Sequence, residues 1–194
     1  MIQVRYQKRE NIWYGAAVRN DQVLAVDFSL EKVELSQILR KLPQKARFQV
    51  VKKPDKVLSD VLSTLETAFN GKDIKDYEFK IDMTRLSSYS QKVLNCTRMV
   101  PVGYVTTYGA IAKVAGGIAR SVGHVEASNP FPLLIPCHRV VCSDLSIGGY
   151  GYGKQIKMEI LQKEERDYEE SRMLKLNDKN LALFPVKWVK QKHG

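Results

Sequence analysis

The chain has 194 residues, 44% of them hydrophobic and 27% charged, enough to bury the core of one ordinary domain or two small ones. Lys and Arg outnumber Asp and Glu by 31 to 21, a formal charge of +10 with a pI near 9.5, which favours a polyanionic partner: nucleic acid first, an anionic membrane surface second. Three cysteines, Cys96, Cys137 and Cys142, argue against a disulfide framework. Arg5, Lys8, Arg9 and Glu10 break any secretory signal and the apolar runs are too short for a bilayer, so the expected compartment is the cytoplasm, or the nucleus of a eukaryotic source.

In chain order, residues 2–6 read as a strand, and residues 13–19 and 23–28 as strands of a hairpin turning at Asn20-Asp21. Val33, Leu35, Ile38, Leu39 and Leu42 give residues 31–42 a helical period that stops before Pro43. Residues 47–51 read as a strand. Pro54 suits the first position of a helix carrying Val57, Val61, Leu62, Leu65 and Phe69, with Gly71 as its stop. Residues 77–81 read as another strand. This mixed α/β first part spans residues 1–85.

After the polar stretch at 84–88 the pattern turns mostly helical, in a second domain over residues 86–170. Ser90 is a candidate cap for a helix with Val93, Cys96 and Val100 on one stripe. Thr107 can cap a helix over residues 108–115, Gly116-Gly117 makes a turn, and residues 118–127 form a further helix: a helix-turn-helix pattern. Ile118, Val122 and Val125 should face the core, Arg120, His124 and Ala127 should face outward, and Glu126 should point toward the protein. Ser121 and Gly123 are small, which lets such a helix approach a nucleic acid closely. Residues 171–194 are expected to be a packed or frayed terminus rather than an extension of a DNA-contacting surface.

The chemistry concentrates in residues 129–141, Asn-Pro-Phe-Pro-Leu-Leu-Ile-Pro-Cys-His-Arg-Val-Val. Two prolines and an apolar run fix an extended approach to Cys137. A thiol is mostly protonated at neutral pH, and His138 and Arg139 beside it are expected to raise its thiolate fraction. A free cysteine is otherwise usually a small buried hydrophobe. Ile156, Ile160 and Glu164 recur at helical spacing, so Glu164 should be inward and in need of a partner.

Pro136-Cys137-His138-Arg139-Val140 resembles the active-site signature of the O6-alkylguanine-DNA alkyltransferases. The resemblance runs from about Tyr89 to Glu164, through residues 103–109 (Gly-Tyr-Val-Thr-Thr-Tyr-Gly), Arg120-Ser121-Val122-Gly123, Asn129-Pro130 and Gly148-Gly149-Tyr150. It implies a ribonuclease-H-like mixed α/β domain followed by a helical domain with a helix-turn-helix and an active-site loop. It further implies irreversible, once-only transfer of the alkyl group of O6-alkylguanine, and of O4-alkylthymine, to Cys137 after minor-groove binding and base flipping.

The same resemblance makes His138 the base acting through a bound water, Glu164 its orienter, Tyr108 the phenol that helps the leaving guanine, and Asn129 the hinge before the cysteine loop. Pro132 would wall the base pocket, the Val140 carbonyl would accept from the guanine amine, the Gly151 amide would donate to its oxygen, and Tyr150 would belong to the closing loop. Arg120 would fill the place of the flipped base, with Ser121, Gly123, Thr107, Ala119 and Ala127 along the DNA. The implied partner is double-stranded DNA containing O6-alkylguanine, met by a monomer of which several copies can share one duplex, with no membrane partner. No cofactor and no metal are implied; the zinc site of some members needs Cys and His ligands that residues 1–95 lack. Departures are His124, Glu126 at a place often apolar, and the loop Gly151-Tyr152-Gly153. The alternative is a non-catalytic alkylated-base-binding protein, which the presence of Cys137 disfavours.

Overall fold

The computed structural model describes residues 1–31, 35–43, 45–74 and 77–189. The chain divides into two units: Met1–Ala68 with Ile74–Arg85 and Pro130–Leu134, and Phe69–Asp73 with Leu86–Asn129 and Ile135–Gly194.

The first unit is built on strands β1 (Ile2–Arg9), β2 (Ile12–Arg19) and β3 (Gln22–Ser29), an antiparallel meander. Asn20 turns β2 into β3 at φ 56°, a left-handed conformation that Asn tolerates. Helix α1 (Leu35–Leu39) is shorter than its periodicity suggests; Val33 lies outside the described residues. Strand β4 (Phe48–Val50) runs parallel to β1, and β5 (Lys80–Ile81) parallel to β3, giving the order β4-β1-β2-β3-β5. Of residues 77–81 only the last two pair.

Helix α2 (Lys56–Phe69) buries Leu58, Val61, Leu62, Leu65, Ala68 and Phe69, one stripe at helical spacing. It starts two residues beyond Pro54: Asp55 is the cap, its carboxylate accepting from the Leu58 amide at 2.9 Å. Val4, Ala17, Leu24, Ala25, Ile38 and Leu42 share one core cluster of this unit.

The second unit is richest in helix, as its sequence suggests, and also carries a sheet. It holds α3 (Ser88–Arg98), β6 (Tyr104–Thr107), α4 (Tyr108–Ala115), α5 (Ala119–Ala127), a 3₁₀ turn Cys137–Arg139, β7 (Val140–Val141), α6 (Lys154–Glu164), β8 (Arg172–Leu176) and β9 (Lys179–Pro185). The strands form one sheet, β7-β6-β9-β8, so residues 172–185 are a hairpin packed into the sheet, the packed form of the expected terminus. Ser87, not Ser90, caps α3, its hydroxyl accepting from the Ser90 amide. Thr107 caps α4, accepting from the Ala110 amide at 3.1 Å. Ile118, expected in the core, precedes α5 and is 63% exposed, while Val122 and Val125 are buried. Among the described residues no helix is long and apolar enough to cross a membrane, and none group as metal ligands.

Candidate active site

Local pairing assembles the site. Strands β6 and β7 run parallel with Thr106 opposite Val140 and Thr107 opposite Val141; Tyr108 opens α4 directly after β6, and the 137–139 turn leads into β7. The Asn129 amide donates to the Ile135 carbonyl at 2.9 Å, joining the residues on either side of segment 130–134. Ile135 in turn accepts from the Cys137 amide at 2.8 Å. Cys137 is 6% exposed and lines a cavity of about 480 Å³ with Tyr108, Gly123, Glu126, Ala127, Gly149, Tyr150 and Gly151.

Behind the sulfur, His138 and Glu164 are both fully buried. Burial, the largest influence, holds the His138 ring below its ordinary pKa in spite of the Glu164 charge, so the ring is neutral. Glu164 is held down to about 2: burial opposes ionisation, and His138 and Arg139 together outweigh it. An ionised carboxylate only accepts, so the 2.9 Å contact is a bond from His138 Nε2–H to Glu164 Oε1. Nδ1 then carries the ring's lone pair; it is buried with no hydrogen-bond partner among the described residues. The sequence finds this His–Glu pair but misplaces Arg139. Its guanidinium serves Glu164, Nε on Oε2 at 2.9 Å and Nη2 on Oε1 at 2.7 Å, with Nη1 on the Val100 carbonyl.

The cation near the sulfur is Lys157, which sequence reasoning missed. It is fully buried, and its ammonium donates to the carbonyls of Val140 at 2.6 Å and Gly149 at 3.2 Å. Burial lowers Lys157 to about 8. The inward stripe of α6 is Lys157, Ile160, Leu161 and Glu164; Ile156 is only half-buried. Cys137 itself is pushed up to about 11, first by burial and then by the charge of Glu126, against the Asn129 hydrogen bond and Lys157. That direction favours the thiol over the thiolate, the opposite of the enrichment expected from the flanking His138 and Arg139.

Tyr108 is half-buried, its hydroxyl 3.5 Å from the Gly149 carbonyl, and burial raises its pKa. The Tyr150 hydroxyl is buried beside Cys137 and is likewise raised, burial first. Gly148 sits at φ 68°, and a Cβ there would meet the Cys142 sulfur at 3.2 Å and the Tyr108 ring at 3.3 Å, so the loop needs glycine at that point. Gly123 has no such need: a Cβ would only touch Tyr108 at 4.0 Å.

Two expected base-pocket residues lie apart from the cavity lining. Val140 is buried with its carbonyl on Lys157, and Pro132 is buried in segment 130–134 of the first unit. On α5, Gly123, Glu126 and Ala127 line the cavity, Ala127 being exposed as expected, and Ala119, Arg120 and His124 are exposed with Ser121 half-buried. Thr107, expected along DNA, is instead buried, its hydroxyl committed to capping α4. Cys96 is buried on α3 and Cys142 half-buried; all three cysteines are free.

The site thus places a buried thiol on a cavity wall, with a neutral histidine and its carboxylate partner beside it. Residues 88–166 match the family described as 6-O-methylguanine DNA methyltransferase, DNA binding domain. The chain is 35% identical over 121 residues to the methylated-DNA–protein-cysteine methyltransferase of Methanocaldococcus jannaschii, a match covering 60% of this chain and 70% of that protein. It is 34% identical over 112 residues to the protein of the same name from Methanothermobacter thermautotrophicus, covering 57% of this chain and 63% of the relative, just under two thirds of its length. The crystal structure of Mycobacterium tuberculosis O6-methylguanine methyltransferase shares the fold, with a TM-score of 0.66 at 23% identity over 85% of this chain and 93% of that one. A structure of the M. tuberculosis protein in complex with DNA aligns with the same TM-score at 22% identity, covering 84% and 92%. The chain belongs to the methylated-DNA–protein-cysteine methyltransferase family.

Proposed function

We propose that this protein repairs DNA directly, moving the alkyl group of O6-alkylguanine irreversibly onto Cys137, with O4-alkylthymine as a second substrate. The observation that carries this reading is the thiol on the cavity wall, backed by the bond from His138 to Glu164 at 2.9 Å. With Nε2–H given to Glu164, His138 Nδ1 is the atom able to take the thiol proton, through a bound water as the family resemblance implies. The sulfur–carbon bond forms as the carbon–O6 bond breaks, and the guanine leaves with a proton, helped by the Tyr108 hydroxyl. The imidazolium that results faces Glu164. The thioether has no return path, so each molecule acts once.

Helices α4 and α5 act in this reading as a helix-turn-helix entering the minor groove, following the ribonuclease-H-like first domain of residues 1–85. Arg120, exposed on α5, takes the place of the flipped base, while Gly123, Glu126 and Ala127 of the same helix line the cavity that receives it. Tyr150 and the Gly151 amide line that cavity and bind the base, with Asn129 as the hinge before the cysteine loop. The net charge of +10 suits a DNA partner, approached by a monomer in the cytoplasm or the nucleus.

The test is to mix the protein with duplex DNA containing O6-methylguanine and weigh its peptides. One methyl mass should appear on the peptide holding Cys137, once per molecule. Repeated turnover, or mass on Cys96 or Cys142 instead, overturns the reading.

A further inference from the structure

Glu126 stands in the cavity wall, and alkyl transfer to Cys137 gives it no task. It is 7% exposed and lines the same cavity as the sulfur. Its Oε1 lies 2.5 Å from the Thr97 hydroxyl; its Oε2 is buried with no hydrogen-bond partner among the described residues. Thr97 Oγ1 is also 3.1 Å from the Val93 carbonyl on its own helix. One hydroxyl has one proton to give. While that proton serves Val93, the short contact requires a proton on Glu126, which would donate to Thr97.

The groups facing Glu126 come from four elements: Cys96 on α3, Tyr108 on α4, Cys137 in the 3₁₀ turn and Lys157 on α6. Lys157 is the one cation among them, and Cys142 faces it as well. Arg139 already matches Glu164, and His138 is neutral. The single positive charge of Lys157 can therefore balance one buried anion, while Glu126 and Cys137 can each become one. Two like charges in one low-dielectric site do not both form readily.

We propose that Glu126 and Cys137 compete for the one anionic charge that Lys157 balances, so that the Cys137 thiolate forms readily only while Glu126 holds a proton. Glu126 is thus a positioning residue that acts through the sulfur. Its own titration fits: burial raises it to about 7, with the Thr97 bond and Lys157 opposing, and its charge stands second among the influences that raise Cys137. Sites coupled in this way titrate as a pair. The inference rests on Cys137 being the nucleophile, but it concerns two acids and can be tested without DNA.

The experiment is a pH titration of thiolate ultraviolet absorbance, taking the Cys137→Ser protein as the blank. Glu126→Gln keeps the shape and a group facing Thr97 but cannot ionise; Glu126→Met removes the polar group altogether. Both should bring the Cys137 titration midpoint down by about one pH unit, about a tenfold gain in thiolate at a fixed pH below it. An unchanged or higher midpoint in Glu126→Gln overturns the proposal. So does a drop confined to Glu126→Met, which would trace the effect to packing rather than charge. Failure of alkylated DNA to label Cys137 would strike the proposed function and leave this titration interpretable.

Discussion

Arg139 grips Glu164 with two nitrogens, Nε on one carboxylate oxygen and Nη2 on the other, while Glu164 accepts from His138 on the oxygen shared with Nη2. Residues 138 and 139, neighbours in the chain, thus converge on one carboxylate. The arginine neutralises a buried charge that the histidine alone, being uncharged, would leave bare.

Truncating that arginine should be costly. Arg139→Met leaves Glu164 ionised and unmatched in the interior, with an expected loss of about 3–5 kcal/mol in urea unfolding. A loss under about 1 kcal/mol would show that the ion pair contributes little.

Two buried carboxyls should give stability opposite slopes with pH. Glu164 is depressed to about 2, so the folded state binds fewer protons there than the unfolded one; its contribution is present above the ordinary carboxylate range and is lost as pH falls toward 2. Glu126 is raised to about 7, so its favourable share is present below the ordinary carboxylate range and is lost as pH rises through 7. Urea midpoints against pH should therefore flatten on the acid side in Glu164→Gln and near neutrality in Glu126→Gln.

Glu164→Gln should also slow alkyl transfer, on the order of 10²-fold, because His138 loses the anion that fixes its tautomer and stabilises its protonated form. Single-turnover kinetics on methylated duplex would show it; a rate within a factor of two of the parent would remove Glu164 from the relay.

Arg120→Ala separates flipping from chemistry. It should slow repair of duplex DNA far more than reaction with free O6-benzylguanine, because only the duplex needs the vacated stack filled. Equal losses on both substrates would mean that Arg120 plays no part in extrusion.

Duplex binding should weaken steeply with added salt, because exposed cations release counterions on meeting phosphates. A flat response in a titration at several ionic strengths would remove the electrostatic argument.

The buried group proposed as a relay is legible where chemistry and periodicity coincide: Cys137 and His138 in one run, and Glu164 at a helical spacing that turns it inward. Lys157 lies on that same inward stripe, at i−7 from Glu164, yet a lysine in a charged helix ordinarily reads as solvated. Arg139 was misplaced because chain proximity to the sulfur suggested spatial proximity. In a 3₁₀ turn, with three residues per turn, residues 137 and 139 leave in directions about 120° apart, and the long Arg139 side chain ends on Glu164. Strands β6 and β7 are too short to show a period. β9 does show one, with Leu181, Leu183 and Pro185 buried in alternation, but the mixed charge of the tail masks it.

The order of segments in the two units has a practical corollary. Residues 69–73, the last residue of α2 and the turn after it, fall within the second unit; there the Gly71 carbonyl accepts from Arg166 at 2.8 Å, and any Cβ on Gly71 would collide with the Lys163 carbonyl at the end of α6. Residues 130–134 make the reverse excursion. No single scission of the polypeptide can release either half intact, and a fragment beginning at Leu86 would lack the loop against which its last long helix ends.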